Sequence, residues 1–481
     1  MTLLDSPVVR SVVRVPPTIH LDDLLAAVGG RLQAPGIASA VDVRGASVDS
    51  RRVTPGSIYV ALRGERVDGH DFVGDALRAG AVAALVERPV QLPPELDAPQ
   101  VVVPDALHAL QELAAWWRAR HAVRVVGITG STGKTIAKEI TADVLSRGLV
   151  TLRNEGNLNS ETGLPMTLLR LEREHEAAVL EMSMYTVGEI ARLAEIARPE
   201  IGLVLAVHPT HLERAGSIER IAQAKAELPA ALPADGLAVL NADDPRVAAM
   251  RGITRAEVRT FGLGPDADVR ADDIAGRGLA GTEFTLHASW GTRRMHSATP
   301  GRHLVPHALA AAAVAERMGI PLDEVAAALE AGSRAEYRMN VVEAASGATL
   351  VDDTYNASPV SVGAALDFLA ETPLPANRRR IAVLGDMLEL GPDEERLHRE
   401  VGAQAARSAD AIVAVGTRGR WLADGARAAG ASRIVTAEDA EEAASVLERD
   451  LAPGAGDLVL LKASRGIGLE RTVELLAGAR P

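Results

Sequence analysis

The 481-residue sequence contains no cysteine. Disulfides, thiolate metal sites and a cysteine nucleophile are therefore excluded, an absence that fits a reducing compartment. Aromatic residues are almost as scarce. Four Trp, four Tyr and four Phe make up 2% of the chain, so its cores must be built from Ala, Leu and Val. Basic residues are also short: 51 Lys and Arg against 64 Asp and Glu give a net charge of −13. Non-specific binding to nucleic acid or to an anionic membrane surface has no electrostatic support. No stretch approaches the about 18 uninterrupted apolar residues of a membrane span. The opening "MTLLDSPVVRSVVRVPP" has no apolar run long enough for a signal peptide. The expectation is a cytoplasmic protein that neither inserts into a membrane nor binds nucleic acid.

What is present is an ordinary globular balance, 47% hydrophobic and 24% charged. The length suits three domains of roughly 150 residues, each with its own core. Residues 1–104 hold short strands ("SVDSRRV", "GSIYVAL", "AVAALVE") and helices ("LDDLLAAVG", "GDALRAG"), closing at the Pro-rich "RPVQLPPELDAPQ". Residues 105–332 alternate strand and helix through "VRVVGIT", "AAVLEM", "IGLVLAV" and "GLAVLNAD", the rhythm of a parallel sheet with crossover helices. Residues 333–481 repeat that rhythm in "ATLVDDT", "RIAVLGD", "AIVAVG", "RIVTA" and "DLVLLKA", which predicts a second, Rossmann-like doubly wound sheet. The fold class is α/β.

The stretch "VVGITGSTGKTIAKE" (125–139) carries the clearest chemistry. An eight-residue G-x-x-x-x-G-K-[ST] loop would need Gly at 128, where Ile stands. The chain has instead the compact Gly130-Ser131-Thr132-Gly133-Lys134-Thr135, between a strand and a helix. Backbone N–H groups of such a turn and the following helix N-terminus receive phosphate oxygens. Lys134 is placed for the β- and γ-phosphates and the Thr135 hydroxyl for Mg²⁺. The alternative is a Gly-rich turn before an ordinary helix. No N-K-x-D motif follows, so a GTPase switch lacks its usual support.

Partners for this loop stand downstream. "AAVLEM" puts Glu181 at a strand's C-terminal end, where open α/β sheets bind ligands, and "IGLVLAVHPTHLERAGS" ends a strand with His208 and His211. Oxygen and imidazole groups at neighbouring strand ends can hold Mg²⁺. Taken singly, each reads first as a loop or capping residue. Lys225, on a helix with Ile218, Ile221, Ala222 and Leu228 marking its apolar side, reads by spacing alone as a solvated lysine.

The set as a whole resembles the Mur ligase family. "GSTGKT", "EGNLNSETGLPMTLLRL", "LEMSMYTVGEI", "HPTHLERAGSIERIAQAKAEL", "VLNADDP", "DDTYNASP", "LGDMLELG" and "KASRG" occur in the family's order, from about Thr18 almost to the end. The resemblance is strongest to the member that adds D-alanyl-D-alanine (D-Ala-D-Ala) to UDP-N-acetylmuramoyl (UDP-MurNAc)-tripeptide. It implies an N-terminal UDP-binding domain, a central ATP-binding domain and a C-terminal domain that receives the amino substrate. Small-molecule substrates, a monomer, ATP and two Mg²⁺ ions are implied with it. Ser50, Arg51, Asp68, Gly69 and His70 then lie near the uridine nucleotide; without the resemblance "GERVDGHD" is a polar loop. Glu181 and His211 match metal ligands, with Thr135, and Lys225 matches a lysine that becomes N-carboxylated and so joins them. Arg338 in "EYRMNVVE" matches an arginine that reaches the ATP phosphates. Asp353 and Asn356 in "DDTYNASP" match nucleotide contacts, though Asp353 taken alone is a strand-end carboxylate capping a turn. Asn157, Asn159 and Glu161 match a loop between phosphate and peptide, and Ser464 and Arg465 border the site for the D-Ala-D-Ala carboxylate, which a guanidinium fork suits.

The chain departs from the family pattern at several points. Ile136 follows Thr135 where a second Thr is usual, and Ser183 replaces a Gly. Ala206 and His208 replace an Asn and a Gly. The adenine-proximal "RHLVPHALAA", with His303, has His307 in place of an Asn. These changes surround the nucleotide and metal pocket. They leave open a Mur-type ligase with a different acceptor, or a paralogue that binds without turnover.

Overall fold

The computed structural model describes residues 18–33, 41–64, 66–96, 98–209, 216–332 and 337–478. The chain forms two compact units, residues 1–122 with 161–175, and residues 123–160 with 176–481.

In the first unit, strand β1 (Ile19–His20) pairs antiparallel with β3 (Asp42–Val43). A five-stranded sheet is built from β2 (Arg31–Gln33), β4 (Ala46–Ser47), β5 (Ile58–Val60), β6 (Ala83–Val86) and β7 (Gln100–Val102), in the order β2-β7-β6-β5-β4. All its pairings are parallel except β2 with β7. The helices Ala106–Arg118 and Gly163–Leu168 pack on each other in this unit. The "SVDSRRV" stretch is shorter as a strand than its residues suggest. Only Ala46 and Ser47 pair, because the Asp49 carboxylate accepts the Arg51 N–H at 3.0 Å and turns the chain into the 3₁₀ helix Ser50–Arg52.

The second unit contains two sheets. The first has nine strands: β8 (Arg124–Thr129), β9 (Thr151–Arg153), β10 (Ala177–Glu181), β11 (Ile201–Val204), β12 (Leu237–Asn241), β13 (Glu257–Gly262), β14 (Val269–Gly276), β15 (Thr282–Ala288) and β16 (Gly291–Ser297). Their order is β16-β15-β14-β13-β12-β11-β8-β10-β9. The strands from β9 to β14 are parallel, as the sequence rhythm predicts. The β14-β15-β16 meander that extends the sheet is antiparallel. β8 lies between β10 and β11, so the crossover direction reverses beside it, and ligands bind at such a switch point. The core under this sheet is built from small residues. Ala308 and Ala310–Ala313 on the Val305–Met318 helix are buried against Ile136, Ala137 and Ile140 of the Lys134–Leu145 helix.

The second sheet has six strands: β17 (Asn340–Glu343), β18 (Thr349–Asp352), β19 (Arg380–Gly385), β20 (Ala411–Val415), β21 (Ile434–Ala437) and β22 (Leu458–Lys462). In the order β17-β18-β22-β19-β20-β21 they are parallel except for the edge strand β17. Separate apolar clusters cover its two faces. Among the described residues no helix is long and apolar enough to cross a membrane.

Candidate active site

Buried β8 delivers Gly130 to the start of the loop, and Gly133 begins the following helix with φ of 79°. A Cβ at 133 would stand 2.0 Å from His307 Nε2, so both conformation and space require glycine. Lys134 Nζ donates to the Gly130 carbonyl at 3.0 Å and folds the loop on itself. Ser131 ties the loop to the segment after β11. Its N–H donates to the Ala206 carbonyl at 2.8 Å, and its Oγ accepts the His208 N–H at 2.9 Å and donates to the His208 carbonyl at 3.0 Å. The N-terminus of a 12-residue helix then faces the loop, a phosphate-binding arrangement.

Thr135 joins three elements. Its Oγ1 donates to Glu181 Oε2 at 2.8 Å and accepts from Arg338 Nη2 at 2.9 Å. Glu181, the last residue of β10, is buried, and Asn159 Nδ2 donates to its other oxygen at 2.7 Å. Asn154 fixes its backbone, accepting the Glu181 N–H at 3.0 Å. Asn154 is held in turn by the fully buried Lys138, whose Nζ donates to the Asn154 carbonyl at 2.6 Å.

Lys225 is 3% exposed, which overturns the solvated reading that spacing alone suggests. The buried stripe of its helix, Ile218–Ala230, runs through Ile221, Ala224, Lys225 and Leu228, the i, i+3, i+4, i+7 pattern, with the lysine inside it. Burial holds its amine well below the usual lysine range, and the neighbouring Lys134 lowers it further. Lys134 itself is lowered by burial, with Glu181 opposing the shift and Arg338 adding to it. Lys134 and Arg338 thus stand together at the loop, and each disfavours a further positive charge on its neighbours, a setting that favours a bound phosphate. His211 lies outside the described residues. His208 is half-buried and lowered by burial, and its backbone holds Ser131. Among the described residues no cluster of three or more His, Asp or Glu is placed to hold a metal by itself.

His303 and His307 stand one helical turn apart, both lowered by burial, His307 to about 4. His303 also lines a cavity of about 430 Å³ with Gly276, Gly301, Arg302 and Phe368, a volume within the range of small-molecule sites. From the six-stranded sheet, Lys462 Nζ donates to Asp353 Oδ2 at 2.6 Å and to the Asn356 carbonyl at 2.9 Å. Asp353 is thus an ion-paired buried carboxylate rather than a turn cap. Ser464 Oγ accepts the Leu388 N–H at 2.9 Å, and Arg465 pairs with Glu470 at 3.1 Å.

The remaining predicted residues belong to the first unit, except Asn157, which is exposed and offers its carbonyl to the Asn159 N–H at 2.8 Å. Arg51 is forked onto Asp49 at 2.8 and 2.9 Å, and this contact pulls Asp49 down to about 2. His70 is 2% exposed and fully partnered. Its Nε2 accepts the Glu87 N–H at 2.9 Å, so its Nδ1 carries the proton given to Asp68 at 2.6 Å. Hydrogen bonds from His70 and Arg88 hold Asp68 well below the usual carboxylate range. Gly69 lies against Leu62, where a Cβ would stand 2.6 Å from the carbonyl oxygen. Ser50 starts the Asp49-capped turn, and Glu161 accepts from Gln111 through its carbonyl at 3.2 Å.

Family models match three stretches that together span most of the chain. These are the Mur ligase family, catalytic domain over residues 42–118, the Mur ligase middle domain over 128–315 and the Mur ligase, glutamate ligase domain over 337–465. The UDP-N-acetylmuramoyl-tripeptide–D-alanyl-D-alanine ligase of Mycobacterium bovis is 40% identical over 467 residues, covering 89% of this chain and 91% of the relative. The chain belongs to the Mur ligase family. The Escherichia coli ligase of the same name is 39% identical over 83% of this chain and 86% of its own. A crystal structure of MurF from Acinetobacter baumannii superposes with a TM-score of 0.84 at 30% identity, covering 96% of this chain and 100% of that one. MurF from Thermotoga maritima in complex with ADP gives 0.77 at 29% identity, covering 91% and 98%. As a Mur ligase the protein is an ATP-dependent ligase.

Several departures from the Mur pattern have structural roles. Ile136 is buried in the core beneath the central sheet. At Ser183 the contact is made by the backbone, whose N–H donates to the Asn159 carbonyl at 2.9 Å, so it does not explain the serine. His307 fills the space that Gly133 leaves. Sequence reasoning missed three residues of this Mur site: Asn154, Lys138 and Tyr355. The guanidinium of Arg338 lies 4.2 Å from the Tyr355 ring centroid. Tyr355 stands inside the quoted "DDTYNASP", but its packing is visible only in three dimensions.

Proposed function

We propose that this chain joins D-Ala-D-Ala to UDP-MurNAc-tripeptide, with ATP converted to ADP and phosphate, in cytoplasmic synthesis of peptidoglycan precursor. The observation that carries the reading is the convergence on Thr135, whose hydroxyl touches both Glu181 and Arg338 beside Lys134, in a chain 40% identical to a ligase of that name. A carboxylate is a poor electrophile, and phosphorylation gives it a leaving group. The terminal tripeptide carboxylate attacks the γ-phosphorus of ATP, the bond to the β-phosphate oxygen breaks, and ADP leaves. The amine of D-Ala-D-Ala attacks the acyl carbon, loses a proton, and phosphate departs from the tetrahedral intermediate.

Lys134 and Arg338 neutralise charge on the phosphoryl oxygens, and the loop N–H groups hold the phosphates. His303, His307, Asp353 and Asn356 lie on the nucleoside side. Ser464 and Arg465 receive the dipeptide carboxylate, while Asn157, Asn159, Glu161 and the residues Ser50, Arg51, Asp68, Gly69 and His70 serve the UDP-peptide. This division assigns UDP-substrate binding to residues 1–104, ATP binding to 105–332 and acceptor binding to 333–481, in a monomer.

The donor set fits magnesium. Thr135 and Glu181 present hard oxygen donors 2.8 Å apart at a helix N-terminus, and His211 joins them by motif. When bound there, Mg²⁺ neutralises phosphate charge and orients the phosphoryl oxygens. A protonated Lys225 does not suit such a place, and burial shifts its amine toward the neutral form, the form that can add CO₂. The resulting carbamate is an anion with two oxygen donors and completes the set. Phosphate release assayed with either a diaminopimelate- or a lysine-containing tripeptide tests the reading. Release requiring both the tripeptide and D-Ala-D-Ala is expected; release that ignores the dipeptide contradicts it.

A further inference from the structure

We propose that Tyr355 is a positioning residue whose ring packs against both Arg338, which reaches the phosphate loop, and Arg465, coupling the two arginine sites. Arg338 has few other restraints. Its Nη2 donates to Thr135, its guanidinium carbon lies 4.2 Å from the Tyr355 ring centroid, and its buried Nε has no hydrogen-bond partner among the described residues. The backbone that presents it is strained. Tyr337 and Met339, on either side of Arg338, have φ of 57° and 54°, a region that non-glycine residues occupy only when their surroundings enforce it. Two of those enforcing contacts are visible. Met339 is buried in the apolar core of the six-stranded sheet, and the Tyr355 N–H donates to the Tyr337 carbonyl at 3.2 Å. Tyr355 therefore grips the turn through its backbone and the guanidinium through its ring.

The same ring faces Arg465. The Arg465 guanidinium lies 5.7 Å from the Tyr355 centroid and 5.1 Å from that of Tyr337, within cation–π range of both. Its ion pair with Glu470, the only one it makes among the described residues, leaves the side chain 53% exposed and open to an incoming anion. Burial raises the Tyr355 hydroxyl above its ordinary range, so it stays protonated and the ring, not the phenolate, is the working part. Removing the ring leaves Arg338 with one hydrogen bond on a strained turn and Arg465 with one aromatic face instead of two.

The Arg338 half of this inference rests on the family's use of ATP; the Arg465 half rests on the acceptor proposed above. The test uses the full chain with Tyr355→Phe and Tyr355→Leu, and Tyr355→Met where the Leu variant does not fold. ADP affinity with Mg²⁺ is measured by calorimetry, and KM for D-Ala-D-Ala by phosphate release. Tyr355→Phe is expected to stay within about twofold of wild type in both. Tyr355→Leu is expected to weaken ADP binding and to raise the dipeptide KM by about fivefold each, the scale of one lost cation–π contact. In an Arg465→Met background, Tyr355→Leu should add less than about twofold to the dipeptide KM, because the two changes remove one interaction. ADP binding by Tyr355→Leu equal to wild type overturns the proposal, as does a Phe variant as impaired as Leu. A wild-type chain that binds ADP but does not turn over the dipeptide refutes the acceptor instead. The ADP comparison of the Phe and Leu variants then still decides the role of Tyr355.

Discussion

A lysine inside the buried stripe of a helix must lose its proton or gain a counter-charge, because a lone ammonium is costly away from water. Lys225 has Lys134 as its charged neighbour, so its amine is pushed toward the neutral form, the form that adds CO₂. Lys225→Ala is expected to lower turnover by at least about 100-fold, the cost of losing a preorganised charged group. Added acetate or formate should restore part of it by supplying the missing carboxylate. Turnover unaffected by the substitution, or lost without any rescue, contradicts the carbamate. His307 gives a pH prediction. Its folded-state pKa of about 4 lies below the ordinary value of 6.5, so the unfolded chain binds more protons between these limits. Stability from this group is full above about pH 6.5 and is lost as pH falls toward 4. In His307→Asn, the fall in melting temperature across that window should be smaller than in wild type; an equal fall contradicts the assignment.

At the scale of elements, scarcity of aromatic residues has its counterpart in the alanine-lined Val305–Met318 helix, whose small side chains let it lie close on the helix that begins at Lys134. Ala312 is fully buried there. Ala312→Leu should destabilise the protein by about 1–3 kcal/mol through overpacking, read as a lowered melting temperature, and should weaken ADP binding by shifting the loop helix. Unchanged stability contradicts tight packing at this contact. The parallel strands were legible in the sequence because they are buried on both faces and read as apolar runs: "AAVLE" and "AIVAV" are buried throughout. The meander β14–β16 escaped that reading because one face of it meets solvent. β15 alternates buried and half-buried positions through "TEFTLHA", a period of two that marks a strand only when sought as such. Spacing alone misplaces Lys225 for a related reason: a charged residue marks the wet side of a helix by default, whereas here it stands in the buried stripe. Glu181, Thr135 and Arg338 were named by motif, but their meeting is a property of the fold. Asn154 and Lys138 carry no motif signal, since an asparagine that braces a strand end looks like any loop residue.

For the whole molecule, the switch point beside β8 and the ends of β18 and β22 lie within one compact unit, and Arg338 joins them by its hydrogen bond to Thr135. The nine-stranded sheet supplies the loop, Glu181 and Lys225; the six-stranded sheet supplies Asp353, Lys462 and Arg465. Such a division suits a reaction in which one sheet activates a carboxylate and the other presents the amine that captures it. The central claim is that ATP activates the carboxylate of the tripeptide as an acyl phosphate. The most direct measurement is oxygen transfer from a tripeptide labelled with ¹⁸O in its terminal carboxylate, turned over with ATP and D-Ala-D-Ala. The account predicts that the phosphate released carries one labelled oxygen from that carboxylate. Phosphate without label, alongside amide product, would contradict it.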